Sequence, residues 1–467
     1  MINNNTLRQE NGLSNFVEET ARHFDIPGVS VGVWTSGQEV YACHGTTSII
    51  NPLPVDRDTL FILGSVTKTY TATTLMRLVA KGKIDLNFPI GTYLSELKLS
   101  GTKAEERITV LNLLNHTSGL DWGLISDFGE GDDALALYVE KMCELKLIAS
   151  PGTRTSYSQA GYNLAGRIIE KVTGQTFEKA VTSLIFKPLG LSHSFFNRDD
   201  IMTQRFCVGH NRDDEGKLSI ATLWRRSRGD NPGGGIVSCV ADQLRWARFH
   251  LGDGSQESGT QVLSEKVLSQ MHKPTAELRG SNLGSAIGIG WFLRDVAGVR
   301  TIGHSGSANG QYAELLLVPD RNFAVVSLSN AGPDGIPFNQ SVVRWALDNY
   351  LGLIDRDPEP IPFDALRAKE IIGNYQNDVM TLTIEKTRDG LRLEVLIKHA
   401  IRIASDKELP PDHAPFEFGL LSGSKDEYII TNGAFKGQRG FFTRDEVGVI
   451  TGVDLAGRLF SRISTSL

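Results

Sequence analysis

The chain has 467 residues, of which 40% are hydrophobic and 22% charged, so it can bury a large interior and is not disordered by composition. Its formal net charge is -6 and no basic block stands out, which argues against nucleic acid or an anionic membrane as the main partner. Four scattered cysteines without a Cys-x-x-Cys pair favour neither a disulfide framework nor a zinc site.

Targeting and cofactor motifs are missing from the sequence. The N-terminal segment has no apolar core of a signal peptide, and no run of about 18 apolar residues occurs. We therefore expect no membrane contact and a cytoplasmic protein. No H-E-x-x-H motif, phosphate-binding loop or dinucleotide fingerprint is present, so we expect no metal and no cofactor.

The first predicted element is a β-hairpin, in which the alternating segment 28–34 and the run 39–42 flank the turn Ser36-Gly37. A second hairpin is predicted at 312–318 and 323–329, around a Pro-Asp-Arg-Asn turn. Helical periodicity lies between and after these hairpins, at residues 67–81, 162–173, 241–250 and 339–350. Strands at both ends of a helical region indicate an α+β unit, in which an antiparallel sheet joins strands that are distant in sequence.

A change of composition at 355–362 predicts a linker, because this charged segment contains three prolines. Beyond it, short strands separated by turn signals follow at hairpin spacing, which is typical of a small antiparallel barrel or sandwich. We therefore predict two domains, over residues 1–355 and 363–467.

The first candidate for chemistry is the pair Ser65 and Lys68, at the predicted start of a helix. Residues three apart share a helix face, so the Lys68 amine lies within reach of the Ser65 hydroxyl, as a serine nucleophile requires of its base. The Ser-x-x-Lys spacing also occurs at Ser95, Ser100 and Ser422. Ser100 and Ser422 lie in turn-like sequence, however, and Ser95 does not stand at the start of a predicted helix. A helix N-terminus can stabilise an oxyanion, although a serine there can equally be a simple cap.

The second candidate is Tyr157-Ser158-Gln159, which we expect in an extended or turn segment before a helix that begins at Tyr162. Residues two apart point the same way, so the phenol and the carboxamide face one site. A phenol can relay a proton, and an amide can bind both an amine and a substrate carbonyl. The alternative is a half-buried tyrosine at a loop–helix junction.

The third candidate is His304-Ser305-Gly306, just before Ser307 and the second hairpin. Small residues beside a polar one on an edge strand allow a substrate backbone to approach and form β-type hydrogen bonds. A similar His-x-Gly at His250 ends a predicted helix, so the motif alone is weak evidence.

Together the three motifs, in this order, resemble the serine β-lactamase and penicillin-binding-protein superfamily, in its class C-like branch of esterases, D-aminopeptidases and carboxypeptidases. The resemblance extends over about residues 15–350, through FILGSVTKTYTA, LLNHTSGL, PGTRTSYSQAGYNLAGRIIEKVTG, PLGLSHSFF and GGGIVSCVADQLRWARF. The segment from about 363 resembles the lipocalin-like barrel that some members append, by strand pattern alone.

The resemblance implies a β-lactamase/transpeptidase-like fold, with an antiparallel sheet flanked by helices, an all-helical region and a C-terminal β-barrel. It implies that Ser65 is the nucleophile and that Lys68 and Tyr157 handle its proton. The backbone N–H groups of Ser65 and Ser307 would form the oxyanion hole.

The remaining motif positions differ from the most familiar pattern. His304 stands where many relatives have the Lys of Lys-Thr-Gly, with Gly306 completing the motif. The tyrosine motif usually ends in Asn, whereas here it ends in Gln159, which displaces the amide by a methylene group.

The resulting prediction is a serine hydrolase, an esterase or peptidase, that acts on a small-molecule or peptide substrate, including D-configured or non-ribosomal peptides. One alternative is a penicillin-binding-protein-type thioesterase or acyltransferase that cyclises or transfers a peptidyl group. The other is a non-catalytic ligand-binding relic. The oligomeric state is left open.

Overall fold

The structure is a computed structural model. It describes residues 4–463, except for 100–102, 122–126, 213–215, 225–226, 253, 255–258, 260, 389, 405–411, 413 and 424–425. Among these residues, no helix is long and apolar enough to cross a bilayer.

The strands and helices before residue 355 form an α+β arrangement, as predicted. The strands are β1 (Gly28–Thr35), β2 (Gln38–Gly45), β3 (Phe61–Ile62), β4 (Ser194–Phe195), β5 (His210–Arg212), β6 (Leu218–Ile220), β7 (Val237–Ser238), β8 (Ala276–Glu277), β9 (Ala286–Ile287), β10 (Phe292–Val296), β11 (Val299–Ala308), β12 (Gln311–Val318), β13 (Phe323–Ser329) and β14 (Ala331–Gly332).

The α-helices of this part precede, interrupt and follow the strands. They are α1 (Asn4–His23), α2 (Thr67–Ala80), α3 (Val110–Leu114), α4 (Ala134–Lys141), α5 (Gln159–Thr173), α6 (Phe177–Val181), α7 (Lys187–Leu189), α8 (Arg198–Met202), α9 (Asn231–Gly234), α10 (Val240–Leu251), α11 (Glu265–Met271) and α12 (Gly335–Leu351).

Eight strands form the main antiparallel sheet, in the spatial order β2-β1-β13-β12-β11-β10-β9-β8. Both predicted hairpins lie in it, and β1 pairs with β13, which places Val29 opposite Ser329. The expectation that the sheet joins strands distant in sequence is confirmed. The turn between β1 and β2 places Ser36 and Gly37 at φ 50° and 78°, as a two-residue hairpin turn requires.

Two hydrophobic cores lie on opposite faces of this sheet, because side chains alternate along each strand. On β12, Leu316 packs toward α1 and α12, in a core with Val31 and Phe338. Leu315 packs on the other face, in a core shared with Leu75 of α2 and further helices.

Two helices begin earlier than the sequence suggested. Helix α5 starts at Gln159 because Ser158 caps it, accepting a hydrogen bond from the N–H of Gly161 at 3.1 Å. Helix α12 starts at Gly335, before Pro337. The proline is tolerated in the first turn because the N–H that it lacks would have had no partner within the helix.

The C-terminal part is a closed antiparallel barrel of eight strands, as the strand pattern predicted. Helix α13 (Ala365–Ile371) precedes it and α14 (His399–Ala404) follows its third strand. Its strands are β15 (Gly373–Gln376), β16 (Met380–Lys386), β17 (Leu391–Ile397), β18 (Phe416–Leu420), β19 (Glu427–Ile430), β20 (Arg439–Arg444), β21 (Ile450–Leu455) and β22 (Arg458–Arg462). Alternate side chains such as Leu382, Phe418 and Val453 fill its interior.

Part of strand β11 is paired with a described strand on one side only. Strand β10 pairs with β11 only as far as Gly303, while β12 pairs with β11 from Ile302 to Ala308. The His304–Ala308 segment therefore has an edge without a described strand partner, where an extended chain can add.

Candidate active site

Ser65 lies in a 3₁₀ turn, Gly64–Val66, that leads directly into α2. Lys68 follows one turn later, and its Nζ lies 3.2 Å from the Ser65 Oγ. The spacing of three residues places the two groups on one face, as predicted. This contact gives the serine hydroxyl a basic neighbour.

Lys68 is completely buried and is held by two further hydrogen bonds. Its Nζ donates to the Gln159 Oε1 at 2.8 Å and to the backbone carbonyl of Gly233 at 2.7 Å. Three acceptors therefore surround a group with three N–H bonds when protonated. The amine is fixed in direction toward Ser65, so little ordering is needed before reaction.

Tyr157 reaches the same point from the segment before α5. Its phenol lies beside the Ser65 side chain, and the Lys68 Nζ lies 4.8 Å from the ring centroid. Burial raises the pKa of Tyr157 to about 12, opposed by the Ser65 hydroxyl and by the nearby Arg458. The phenol is therefore protonated at neutral pH and can pass a proton along the Ser65–Lys68 contact.

His116 supports the tyrosine segment and was not identified from the sequence as a site residue. Its Nδ1 accepts a hydrogen bond from the N–H of Ser158 at 3.1 Å, and its carbonyl accepts one from the N–H of Ser156 at 2.9 Å. Its ring lies 4.4 Å from the Tyr157 ring. Burial and then the nearby Lys68 lower the pKa of His116 well below its usual range, so the neutral ring can serve as this acceptor.

Gln159 occupies the first position of α5, and its amide faces the site together with Tyr157. Its Nε2 donates to the Asn163 Oδ1 at 3.1 Å and to the carbonyl of Asp230 at 3.3 Å. A Cβ atom on Gly233 would lie 1.8 Å from this nitrogen, so the glycine makes room for the longer amide side chain. The displaced amide therefore still contacts Lys68.

Two glycines bring the backbone of β11 against the nucleophile turn. A Cβ on Gly306 would lie 1.9 Å from the Leu63 carbonyl oxygen and 2.8 Å from the backbone nitrogen of Ser65. A Cβ on Gly64, at φ +53°, would lie 2.6 Å from the backbone nitrogen of Ser307. The N–H groups of Ser65 and Ser307 thus belong to two closely packed backbones, the arrangement of donors that an oxyanion hole needs.

His304 lies on the same side of the sheet as Leu315, its partner on β12. Its ring is 6.2 Å from the Tyr157 ring, and its Nδ1 donates to the Ser305 carbonyl at 2.6 Å, which leaves Nε2 as the acceptor. Burial and the Lys68 charge lower the pKa of His304 to about 3. The imidazole is therefore neutral beside the reacting groups.

The barrel also contributes to this site, which the sequence did not predict. The turn between β21 and β22 has Ala456 and Gly457 at φ 52° and 75°, and the Gly457 carbonyl accepts the N–H of Tyr157 at 2.7 Å. Arg458 follows, with its Cζ 4.8 Å from the centroid of the Tyr157 ring. The Tyr157 ring thus has a basic side chain from each part of the chain beside it, Lys68 and Arg458.

Two cavities meet at Ser65. One, of about 240 Å³, extends past Tyr157 and His304 to α12 and the barrel. The other, of about 70 Å³, extends past Gln159 and Ser307. A substrate bound across Ser65 can therefore place groups on both sides of the scissile bond.

The other Ser-x-x-Lys pairs lack such surroundings. Ser95 and Lys98 are both exposed, Ser422 lies in an exposed bend, and Ser100 lies outside the described residues. His250 is buried beside the Trp246 ring in the helical core.

A possible ligand set for a metal lies elsewhere among the described residues. Donor atoms of Asp58, His193 and Cys239 fall within 4.8 Å of one another, but none of the three lines either cavity at Ser65. Burial raises the pKa of the Cys239 thiol, which disfavours the thiolate that a metal would need. The expectation that no metal is used stays a prediction.

The part of the chain that contains Ser65 is similar to known proteins. The family model described as Beta-lactamase matches residues 13–340. Penicillin-binding protein 4 of Amycolatopsis lactamdurans is 32% identical over 363 residues, covering 76% of this chain and 94% of that protein.

Two solved structures show how far the fold similarity extends. D-amino acid amidase from Ochrobactrum anthropi SV3, complexed with L-phenylalanine amide, is 26% identical with a TM-score of 0.62, and covers 73% of this chain and 98% of its own. SurE with D-Leu is 21% identical with a TM-score of 0.72, and covers 98% of this chain and 100% of its own. The latter similarity includes the barrel.

Proposed function

Because the chain belongs to the beta-lactamase family, we propose that it is a serine hydrolase that acts on an ester or amide through an acyl-Ser65 intermediate. The observation that carries this proposal is the convergence on one hydroxyl, Ser65, of the Lys68 amine at 3.2 Å and the Tyr157 phenol. A serine with two proton-handling neighbours is suited to nucleophilic attack.

In the proposed acylation step, which starts from the neutral Lys68 amine beside the protonated Tyr157 phenol, the Ser65 Oγ forms a bond to the substrate carbonyl carbon and its proton passes to the Lys68–Tyr157 pair. We treat the two as one coupled unit, because the proton can reside on either. The carbonyl oxygen becomes negative and accepts hydrogen bonds from the N–H groups of Ser65 and Ser307.

Collapse of this intermediate breaks the bond to the leaving group, which takes up the proton from the same pair. A water molecule then attacks the acyl-Ser65 carbonyl and gives a proton to the pair. The bond between the carbonyl carbon and the Ser65 Oγ breaks, Oγ takes this proton back, and the acid is released. His304 is neutral, so it adds no positive charge that would stabilise the deprotonated form of the Tyr157 phenol. Its Nε2 is available to accept a hydrogen bond from the substrate or from the attacking water.

We propose peptide-like amides and esters, including D-configured ones, as the substrate class. The free edge of β11 supports this proposal, since it can hold an extended backbone beside Ser65. The similarity to a D-amino acid amidase is a further argument for amide substrates.

Acyl transfer to a second nucleophile is the other candidate function. Two cavities meet at Ser65, so the acyl group and an acceptor amine can be held at the same time. A penicillin-binding-protein-type thioesterase that cyclises or transfers a peptide would use the same acylation step and differ only in what resolves it.

We also propose that residues 1–355 and 363–467 form separate domains. Strand pairing supports this division, since the described pairs of the barrel join only its own strands.

The function is tested on the full chain with p-nitrophenyl esters, nitrocefin, L- and D-amino-acid amides and a peptidyl thioester, beside Ser65→Ala. Turnover that depends on Ser65 supports the serine hydrolase. Linear acid from the thioester favours hydrolysis, whereas a cyclic or conjugated product favours acyl transfer. No turnover and no acylation with any member would favour the non-catalytic relic.

A further inference from the structure

The larger cavity at Ser65 contains a carboxyl group that the proposed chemistry does not use. Glu314 lies on β12, opposite Ser305 of β11 and Ser327 of β13. It points to the face of the sheet where its neighbour Leu316 packs against the α12 core, and it lines the cavity. A carboxyl that is removed from water without a partner is costly unless something binds it.

Nothing described in the protein satisfies this carboxyl. No hydrogen bond or ion pair reaches Glu314 from any residue that the structure describes. Its side chain is intermediate in exposure because it lines the cavity, yet burial raises the pKa of Glu314 to about 7, with Arg294 opposing. An acceptor of this kind in a cleft is typical of a functional group rather than of packing.

Two further acceptors in the cavity are in the same condition. The Asn282 Oδ1 and the Gln438 Oε1 are buried and have no donor among the described residues. Both residues line the cavity that Glu314 lines, one from the loop before β9 and one from the barrel. Two amide oxygens without a described donor therefore belong to residues of the cavity wall, beside the Glu314 carboxyl.

Five arginines line this cavity, of which Arg356 is exposed and the other four have contacts elsewhere. Arg294 and Arg344 both pair with Asp355, and Arg344 also pairs with Asp357, so this network has no net charge. Arg439 donates to the Ser281 carbonyl at 3.0 Å. Arg458 lies over the Tyr157 ring.

We propose that this cavity is a specificity subsite for a primary ammonium or guanidinium group of the substrate, bound by Glu314 with Asn282 and Gln438 as further acceptors. The proposal rests on the proposed serine hydrolase function. The cation can belong to the acyl part or to the leaving amine, since the cavity begins at Ser65 itself. In either case Glu314 selects the substrate and takes no part in proton transfer at Ser65.

The test compares substrates that differ only in the cation. The acyl arm uses p-nitrophenyl esters of Nα-acetyl-lysine, Nα-acetyl-norleucine and Nα-acetyl-glutamate, each as D and L forms. The leaving-group arm uses N-acetyl-alanine amides of 1,5-diaminopentane and of pentylamine. The ratio of kcat/KM for the cationic and the neutral member is measured in each arm.

We expect a ratio of about ten or more in one arm for the wild type, and about one in the same arm for Glu314→Gln. Both members are measured on the same preparation, so a loss of folded enzyme cancels from the ratio. The control Glu359→Gln removes an exposed carboxyl that lines neither cavity at Ser65, and should keep the wild-type ratio.

Three results would overturn the subsite. These are ratios near one in both arms for the wild type, a preference that survives Glu314→Gln, or a preference for the glutamate ester. Turnover of the neutral esters in any of these cases would leave the serine hydrolase proposal standing. A wild type that turns over no substrate at all would instead refute the proposed function, and the subsite with it.

Discussion

The α+β part and the barrel contribute to one cleft in different ways. The α+β part supplies Ser65, Lys68 and Tyr157, and it fixes the Lys68 amine by three hydrogen bonds. The barrel supplies a single hairpin turn, whose Gly457 carbonyl and Arg458 side chain contact the tyrosine. In the proposed reaction, the first part therefore contains the reacting groups, and the barrel changes the pKa of one of them, Tyr157.

This difference shows how the barrel can alter the proposed reaction without carrying a reacting atom. A cation 4.8 Å from a phenol ring stabilises the phenolate and lowers the pKa of Tyr157 relative to its value without that charge. The barrel's interior is a separate hydrophobic core, so its stability and its effect on Tyr157 can be changed independently.

The largest effect is expected in the α+β part, from Ser65→Ala. Loss of the attacking oxygen should lower kcat/KM for p-nitrophenyl esters by at least about 10³-fold, because binding and oxyanion donors alone give little turnover. The control is Ser95→Ala, which alters an exposed Ser-x-x-Lys pair and should leave the rate unchanged. Equal rates in Ser65→Ala and wild type would show that the α+β part does not supply the attacking oxygen.

The second largest effect is expected from Gly306→Ala, which should lower kcat by about 10²-fold. The added Cβ would lie 1.9 Å from the Leu63 carbonyl oxygen, so β11 must move away from Ser65 and the oxyanion donors separate. Steady-state kinetics and circular dichroism are compared with Gly12→Ala, where the new methyl makes only an ordinary contact of 3.7 Å with Trp345. Full activity in Gly306→Ala would argue against an oxyanion hole at Ser307.

The barrel's contribution is measured by Arg458→Gln, which should lower kcat about tenfold, the equivalent of one pKa unit at the phenol. Removing the cation raises the pKa of Tyr157 further, and proton transfer becomes less favourable. A purely structural role would instead change the thermal midpoint and leave kcat per folded molecule intact. Arg392→Gln, in an exposed barrel pair with Glu385, serves as the control.

The smallest effect on catalysis is expected from Leu382→Ala inside the barrel. This substitution removes fully buried volume and should destabilise the barrel by about 2–5 kcal/mol, measured by urea unfolding followed by tryptophan fluorescence and circular dichroism. At low temperature, where the barrel stays folded, kcat should match the wild type. A fall in kcat as large as that of Arg458→Gln would contradict the separation of barrel stability from its effect on Tyr157.

The sequence predicted much of the α+β part because its signals are local. Ser65 and Lys68 lie one helical turn apart, and the two hairpins have alternating strands around turn residues. Tyr157 and His304 have no such link to Ser65 in the sequence, and only the family resemblance pointed to them together.

The remaining site residues depend on how distant segments pack. Arg458 begins a barrel strand of ordinary pattern, and only docking of the barrel turn brings it to Tyr157. Glu314 reads as an ordinary residue of an alternating strand until its cavity is seen. His116 acts through a ring nitrogen and a carbonyl that no motif specifies, although its segment LLNHTSGL was part of the resemblance.

The central claim, that Ser65 is the oxygen on which the acyl group is carried, is tested most directly by intact-mass measurement of the full chain mixed with an activated ester, followed by peptide mapping. We predict one added acyl group on the peptide that contains Ser65, and none in Ser65→Ala under the same conditions. An adduct located on another residue, or one that persists in Ser65→Ala, would contradict the mechanism.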